Sequence, residues 1–236
     1  MSEPARCEVS VLIPTYNVAR YLSETIHSVL AERRDSLEIV VVDDGSEDGS
    51  ADIAGGFGPP VRCLRRPHEG LAATRNAAVA AARGQFLLHL DGDDLLVPGS
   101  IALRLAAFAE DPALDIVVGR ISCFFSPDLD AEGRSRLQLP EPQQGHLPGA
   151  SLIRAETFRR YGGFDAQFTA MSDLDWFVRA KDAGARLRSL PEVVAHRRIH
   201  GANMSLTMKQ AAVQDRLKML KNALDRRRSA AADGSR

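Results

Sequence analysis

The sequence predicts an α/β fold in which an open, mainly parallel sheet is flanked by helices on both faces. Two observations predict it. Short β-branched runs alternate four times with helix-like stretches across short connections, the pattern of parallel βα units. Three of those runs end in polar clusters: Pro14-Thr15-Tyr16-Asn17, Asp43-Asp44-Gly45-Ser46 and Asp91-Gly92-Asp93-Asp94. Open sheets of this kind bind ligands outside the carboxyl ends of their strands.

Each element has its own signal. Val9 to Ile13 is a buried strand closed by Pro14, and Tyr21, Leu22, Ile26, Val29 and Leu30 recur at helical spacing. Leu37 to Val42 is a second strand, followed by a short helix stopped by Gly55-Gly56 and Pro59-Pro60. Val61 to Leu64 forms a third strand, Gly70 to Arg83 an Ala-rich helix, and Gln85 to Leu90 a fourth strand. A helix over 99–110 and a strand at 116–118 follow. The rhythm then breaks, and 126–149, rich in Pro, Gly and charge, reads as a long irregular excursion. Beyond it lie a strand over 150–154, a helix over 155–161 and a helix over 173–183. Two short strands at 186–190 and 193–197, a basic helix over 205–228 and a disordered tail over 229–236 complete the prediction.

The 236 residues suit one large domain, expected as a half over 1–120, a second half over 121–205, and the terminal helix with its tail. A formal charge of -1 excludes a global attraction for nucleic acid, so an anionic ligand needs a local site. Cys7, Cys63 and Cys123 are scattered and lack CxxC spacing, which points to reduced thiols in a cytoplasmic setting. No signal peptide or membrane span is expected, because no apolar run approaches ~20 residues.

Asp91 and Asp93 flank a glycine directly after an apolar strand. Two hard oxygen ligands on a tight turn suit Mg²⁺ or Mn²⁺ with positions left open for phosphate oxygens. Gly92 lets the backbone approach a ligand closely, and Asp94 is available to cap the next turn. In Asp43-Asp44-Gly45-Ser46, one carboxylate is suited to a base N–H or a ribose hydroxyl, and Ser46 to capping a helix near Glu47. His27, His68, His89, His146 and His196 share no ligand spacing and read as structural, with His89 either a satisfied core residue or one that backs the site residues.

Four blocks carry a resemblance: Val-Ser-Val-Leu-Ile-Pro-Thr-Tyr-Asn (9–17), Val-Val-Val-Asp-Asp-Gly-Ser (40–46), Gly-Leu-Ala-Ala-Thr-Arg-Asn-Ala-Ala (70–78) and Ala-Arg-Gly-Gln-Phe-Leu-Leu-His-Leu-Asp-Gly-Asp-Asp (82–94). They resemble, in order and spacing, the blocks of family 2 glycosyltransferases, inverting enzymes of the GT-A fold. Residues 152–165 and 172–179 resemble that family's acceptor-side blocks. The resemblance implies a nucleoside-diphosphate sugar donor, UDP-linked in the expectation, and an acceptor hydroxyl on a glycan, a lipid-linked molecule or a small molecule. It implies a nucleoside pocket lined by Pro14, Tyr16 and Asp44, with Asp91 on the ribose or donor sugar. Asp93 then holds the metal, and Arg75 either reaches a phosphate or is a solvated helix charge.

Asp173 matches the family's catalytic base, while Ser172 stands where an acidic neighbour is usual. On residues alone, Ser172 is suited to capping the following helix, and Asp175 should point away from Asp173. His200 resembles a late histidine that completes the metal or diphosphate site in some members, or it is a surface residue in a turn. Arg197 and Arg198 add charge suited to a diphosphate. In the terminal helix, Met208, Ala211, Ala212, Asp215, Leu217, Leu220 and Leu224 form an imperfect stripe beside many basic residues. Such a helix docks on its own domain or lies peripherally on the inner face of a membrane. A nucleotidyltransferase or a dehydrogenase would place glycines after strand one, where Pro-Thr-Tyr-Asn-Val stands. A catalytically degenerate sugar-nucleotide-binding module is the non-enzymatic alternative.

Overall fold

A computed structural model describes residues 7–137, 139–144 and 149–233. The first half contains β1 (Val9–Thr15), α1 (Ala19–Leu30), β2 (Leu37–Asp43), α2 (Ser50–Gly55), β3 (Val61–Arg65), α3 (Leu71–Ala81) and β4 (Phe86–His89). Then come β5 (Leu95–Leu96), α4 (Ser100–Glu110), β6 (Ile116–Phe125), α5 (Ala131–Arg136) and β7 (Gln143–Gln144). β8 (Ser151–Arg154) runs directly into α6 (Ala155–Tyr161), followed by α7 (Ser172–Asp182), β9 (Leu187–Ile199), α8 (Met204–Thr207) and α9 (Lys209–Asp233).

The strands of the described residues form one sheet in the order β3-β2-β1-β4-β8-β6-β9-β5, with β7 on β6. β1 to β4 pair in parallel, and β6 and β9 run the same way. β8, β7 and β5 oppose them, so the sheet is mainly parallel and becomes mixed in its second half. β1 and β2 are buried at every residue because both faces are covered. Alternate side chains feed two cores. Val9, Val11 and Ile13 pack with Leu22, Ile26 and Val29 of α1 and with Ile101 and Phe108 of α4. Leu12, Val40 and Val42 pack with Ala72 and Ala78 of α3, Phe158 of α6, and Trp176 and Phe177 of α7. Burial of each large side chain contributes roughly 1.5–3 kcal/mol.

The second half departs from the sequence reading in four places. The strand expected at 116–118 continues to Phe125, because β9 pairs with it along its length. β9 is one strand rather than two; Pro191, between the two expected strands, lies where the register shifts opposite Gly119 and no ladder bond is needed. The excursion over 126–149 contains α5, whose first turn is capped by the Asp130 carboxylate on Gly133 N–H, and β7. His146 lies outside the described residues. α9 continues to Asp233, past the predicted end at 228 and into the expected tail. Its docking also inverts the expected stripe, because Asp215 faces the protein while Leu217, Leu220 and Leu224 are exposed.

Candidate active site

The carboxyl ends of β1, β2 and β3 are laced together. Asn17, in the left-handed region at φ 51°, donates its N–H to Ser46 Oγ at 2.9 Å and accepts Glu47 N–H on Oδ1 at 2.9 Å. Asp48 and Ser50 accept from Ala19 and Val18 N–H, so the β2–α2 turn caps α1. Ser46 therefore serves Asn17 rather than starting a helix, and α2 begins only at Ser50. Pro14 is buried within β1. Tyr16 is 48% exposed and stacks on His68, ring centroids 4.3 Å apart. His68 Nδ1 in turn lies 2.9 Å from Asp44 Oδ2.

Asp44 is buried, and its two oxygens also accept Glu69 N–H at 2.8 Å and Gly70 N–H at 3.0 Å. Asp44, expected to line the nucleoside pocket, organises the turn that carries His68. Asp43 accepts Ser46 N–H on Oδ2 at 3.0 Å, whereas its buried Oδ1 has no hydrogen-bond partner. The sequence reading took His68 as structural and left open which carboxylate of Asp43 and Asp44 meets a ligand; the structure sets His68 against Tyr16 and leaves Asp43 Oδ1 without a partner. The available signal for His68 was its position just past the end of β3, the same sheet edge that made the other clusters informative.

Arg75 joins the two halves of the site. It is 3% exposed on α3, with Nη2 donating to Asp91 Oδ1 at 3.1 Å and Nη1 lying 4.0 Å from Asp173 Oδ1. Its guanidinium carbon sits 5.8 Å from the Phe164 ring centre, and its Nε has no partner. The solvated-charge reading of Arg75 is therefore excluded. Next to it His89 is buried with neither ring nitrogen bonded, so of the two expected readings the satisfied core residue is excluded and the residue backing Arg75 remains. Burial and the adjacent Arg75 charge pull its pKa down to about 3, so it stays neutral.

Asp173 lies in the first turn of α7 and is 7% exposed. Ser172 is the first residue of that helix and caps nothing; the cap position is Met171, without a side-chain bond. Asp175 points away from Asp173 as expected, paired with Arg179 at 2.7 Å. Arg179 holds the carbonyls of Tyr161 and Gly163, and Asn76 exchanges two 2.8 Å hydrogen bonds with the Phe164 backbone. The 161–164 turn is thereby fixed against α3 and α7.

At the end of β9, His200 Nε2 lies 2.9 Å from Asp93 Oδ2 and is only 6% exposed, which excludes the surface-turn reading. Its Nδ1 accepts Ala202 N–H at 3.2 Å, so in the neutral ring Nε2 is the protonated nitrogen and donates to Asp93. Asp94 does not cap a turn; its Oδ1 accepts Arg198 N–H at 2.9 Å and ties β9 to the motif. Arg198, expected to face a diphosphate, is buried against Tyr21 and Phe124 and donates to Asp93 O and Glu24. A Cβ on Gly92 would lie 3.0 Å from Val18 Cγ2, a tight contact that this side chain would have to yield to.

The carboxylates repel one another. Loss of water raises the pKa of Asp91 against the pull of Arg75, with Asp93 and Asp173 adding to the rise. Burial beside Asp93 and Asp91 raises that of Asp94 well above the usual carboxylate range. Among the described residues no three His, Cys, Asp or Glu side chains are grouped to hold a metal ion. Asp93 and His200 fit a divalent cation as a pair, provided the imidazole proton moves to Nδ1 and phosphate or water oxygens complete the shell.

An open sheet with acidic turns along its carboxyl edge, joined by one buried arginine to a carboxylate on a later helix, is a GT-A glycosyltransferase layout. Similar solved folds include S. aureus TarS 1–349 in complex with UDP-GlcNAc, at TM-score 0.65 and 21% identity over 83% of this chain and 60% of that one. Another is the mannosyltransferase PcManGT from Pyrobaculum calidifontis in complex with GDP-Man and Mn²⁺, at TM-score 0.69 and 22% identity over 93% of this chain and 65% of that one. Residues 10–169 match the family model described as glycosyl transferase family 2, and the chain belongs to that family. The chondroitin synthase of Pasteurella multocida is 29% identical over 93% of this chain and 23% of its own length. The pre-mycofactocin glycosyltransferase of Mycobacterium tuberculosis is 32% identical over 83% of this chain and 44% of its own. The chain thus spans less than half the length of these curated relatives.

Proposed function

We propose that the chain transfers one sugar, with inversion, from a nucleoside-diphosphate sugar to an acceptor hydroxyl. The observation that carries this reading is Arg75, which holds Asp91 on one side and faces Asp173 on the other. Residues 1–120 serve as the donor half and 121–205 as the acceptor half. Tyr16 and His68 offer an aromatic surface for the base, and Asp43 Oδ1 an open acceptor for its N–H. Asp91 and Gly92 face the ribose and donor sugar, and Arg75 keeps the Asp91 carboxylate oriented. Asp93 with His200 would hold Mn²⁺ or Mg²⁺, which when bound neutralises charge on the diphosphate. In the reaction the acceptor oxygen bonds to the anomeric carbon as that carbon's bond to the diphosphate oxygen breaks. The bonding pair leaves with the phosphate, and the hydroxyl proton passes to the Asp173 carboxylate. A UDP-linked donor is our reading, with GDP-linked sugars its competitor, since TarS is in complex with UDP-GlcNAc and PcManGT with GDP-Man.

A thermal-shift screen of UDP- and GDP-sugars with Mn²⁺ tests the donor, because a binder raises the melting temperature by mass action. Release of nucleoside diphosphate then supports transfer. Pyrophosphate release from a nucleoside triphosphate would replace this reading with a nucleotidyltransferase, and binding without turnover on any acceptor with a degenerate binding module.

We further propose a cytoplasmic protein that touches anionic lipid through α9. Among the described residues no helix is long and apolar enough to cross a membrane. Val213, Leu217, Leu220 and Leu224 of α9 are each more than half exposed. Spacings of four, three and four place them in one stripe, with Lys209 and Arg216 to one side and Lys221 to the other. Cosedimentation with phosphatidylglycerol vesicles but not phosphatidylcholine vesicles is the expected result. Size that rises with protein concentration, without vesicle binding, would assign the stripe to a second copy.

A further inference from the structure

Among the described side chains of α9, Asp215 is the one whose burial the apolar pattern does not explain. It is 1% exposed, while the leucines of the same helix face outward. A buried carboxylate is costly unless hydrogen-bonded. Its Oδ2 accepts two consecutive backbone N–H groups, Ala170 at 2.7 Å and Met171 at 3.2 Å. Lys218, one turn on, donates to Gln167 O at 3.0 Å and lies 3.7 Å from Asp215 Oδ1. These contacts fix the 167–171 turn, which becomes α7 at Ser172 and presents Asp173 one residue later. α7 has no side-chain cap of its own, so this anchor comes from 45 residues away in the sequence.

Given Asp173 as the catalytic base proposed for the transfer, we infer that Asp215 is its positioning residue. α9 holds the start of α7 so that the Asp173 carboxylate stays near Arg75. A displacement of about 1 Å at a reacting group costs up to ~10²-fold in rate without weakening remote binding contacts.

The test combines hydrogen exchange with release of nucleoside diphosphate from UDP-GlcNAc or GDP-Man, using Mn²⁺ and water as the acceptor. Asp215→Ala should deprotect the amides of 168–173 but not those of α3. It should lower kcat about tenfold while the donor KM stays within about twofold. Asp215→Asn keeps an oxygen acceptor at the same place and should recover most of kcat. Asp173→Asn should lose more, and Asp173→Asn/Asp215→Ala should lose no more than Asp173→Asn alone. Additive losses, or unchanged exchange at 168–173, would overturn the inference. If Asp173→Asn loses kcat and Asp215→Ala does not, the positioning role fails and the base reading stands. If Asp173→Asn keeps full kcat, the base reading fails and the positioning role with it. Should Asp215→Ala fail to fold, Lys218→Ala, which removes the Gln167 contact and the charge beside Asp215 but leaves the Ala170 and Met171 bonds, must show the same kcat-only loss on a smaller scale, or the inference falls.

Discussion

The two ends of the same sheet solve opposite problems. At the amino end, Ser10 Oγ donates to Glu38 Oε1 at 2.6 Å, Arg62 to Oε2 at 2.8 Å and Arg83 N–H to Oε1 at 2.7 Å, while Gly84 N–H donates to Ser10 Oγ at 2.8 Å. One carboxylate meets one guanidinium, and each of these groups has a partner. At the carboxyl end, Asp91, Asp93 and Asp94 repel one another, and Asp43 and Asp44 end a neighbouring strand. Asp43 Oδ1, Arg75 Nε and both nitrogens of His89 lack partners there. The same strands supply both ends, so the difference does not follow from the fold. A saturated cluster serves folding, whereas an unsaturated, self-repelling one is stable only because the scaffold imposes it, and it gains when a ligand arrives.

The largest expected effect separates the two ends outright. Asp93→Ala should reduce nucleoside-diphosphate release about 10³-fold, and EDTA should do the same to the unmodified protein. The melting temperature without metal should change little, because removing a repelling carboxylate offsets the lost partner of His200 Nε2. If Asp93→Ala instead melts several degrees lower and keeps its turnover, the carboxyl end is structural and the contrast collapses.

Arg75→Met is next. It leaves Asp91 and Asp173 facing each other without their shared cation, with an expected loss of about 10²-fold in kcat and roughly 2 kcal/mol in stability. Arg75→Lys restores charge but not the two-pronged geometry and should recover only part of kcat. Full activity in Arg75→Lys would show that Arg75 contributes only charge, and equal loss in both variants that its geometry alone matters.

The first half of the fold was legible because each parallel strand carries its own continuous β-branched run, as in Leu37 to Val42. The end of β6, β5 and the continuity of β9 were not, because their pairing is set by strands 70 or more residues apart, as in Ser122 with His196. The same limit applies to the site. Asp91, Asp93 and Asp173 stand out beside their strand or helix signals, and the structure brings Asp91 and Asp173 to one guanidinium. That Arg198 turns inward between two aromatic rings, and that Asp215 reaches under the 167–171 turn, depends on packing that no local pattern encodes.

The smallest effects sharpen the comparison through their sign. Burial works against ionised Glu38, but hydrogen bonds from Ser10, Arg83 N–H and Arg62 outweigh it and hold its pKa below the usual value. A lowered folded-state pKa stabilises above the ordinary carboxylate range, and that contribution is lost as pH falls through the lowered value. Glu38→Gln should therefore cost about 2 kcal/mol at pH 7, a melting shift of roughly 4–8 °C. Asp94 is the reverse case. Its raised folded-state pKa means that stability is full in acid and is lost as pH rises through the interval between the unfolded and folded values. Asp94→Asn should then melt higher at pH 7 without metal, by about 2 °C, in keeping with a site that trades stability for function. Melting curves recorded in EDTA from pH 7 downward should show both differences shrinking toward zero from opposite sides. A Glu38→Gln gap that persists in acid would place that carboxylate's contribution in packing rather than charge, and a lower-melting Asp94→Asn would make its bond to Arg198 N–H outweigh its repulsion by Asp91 and Asp93.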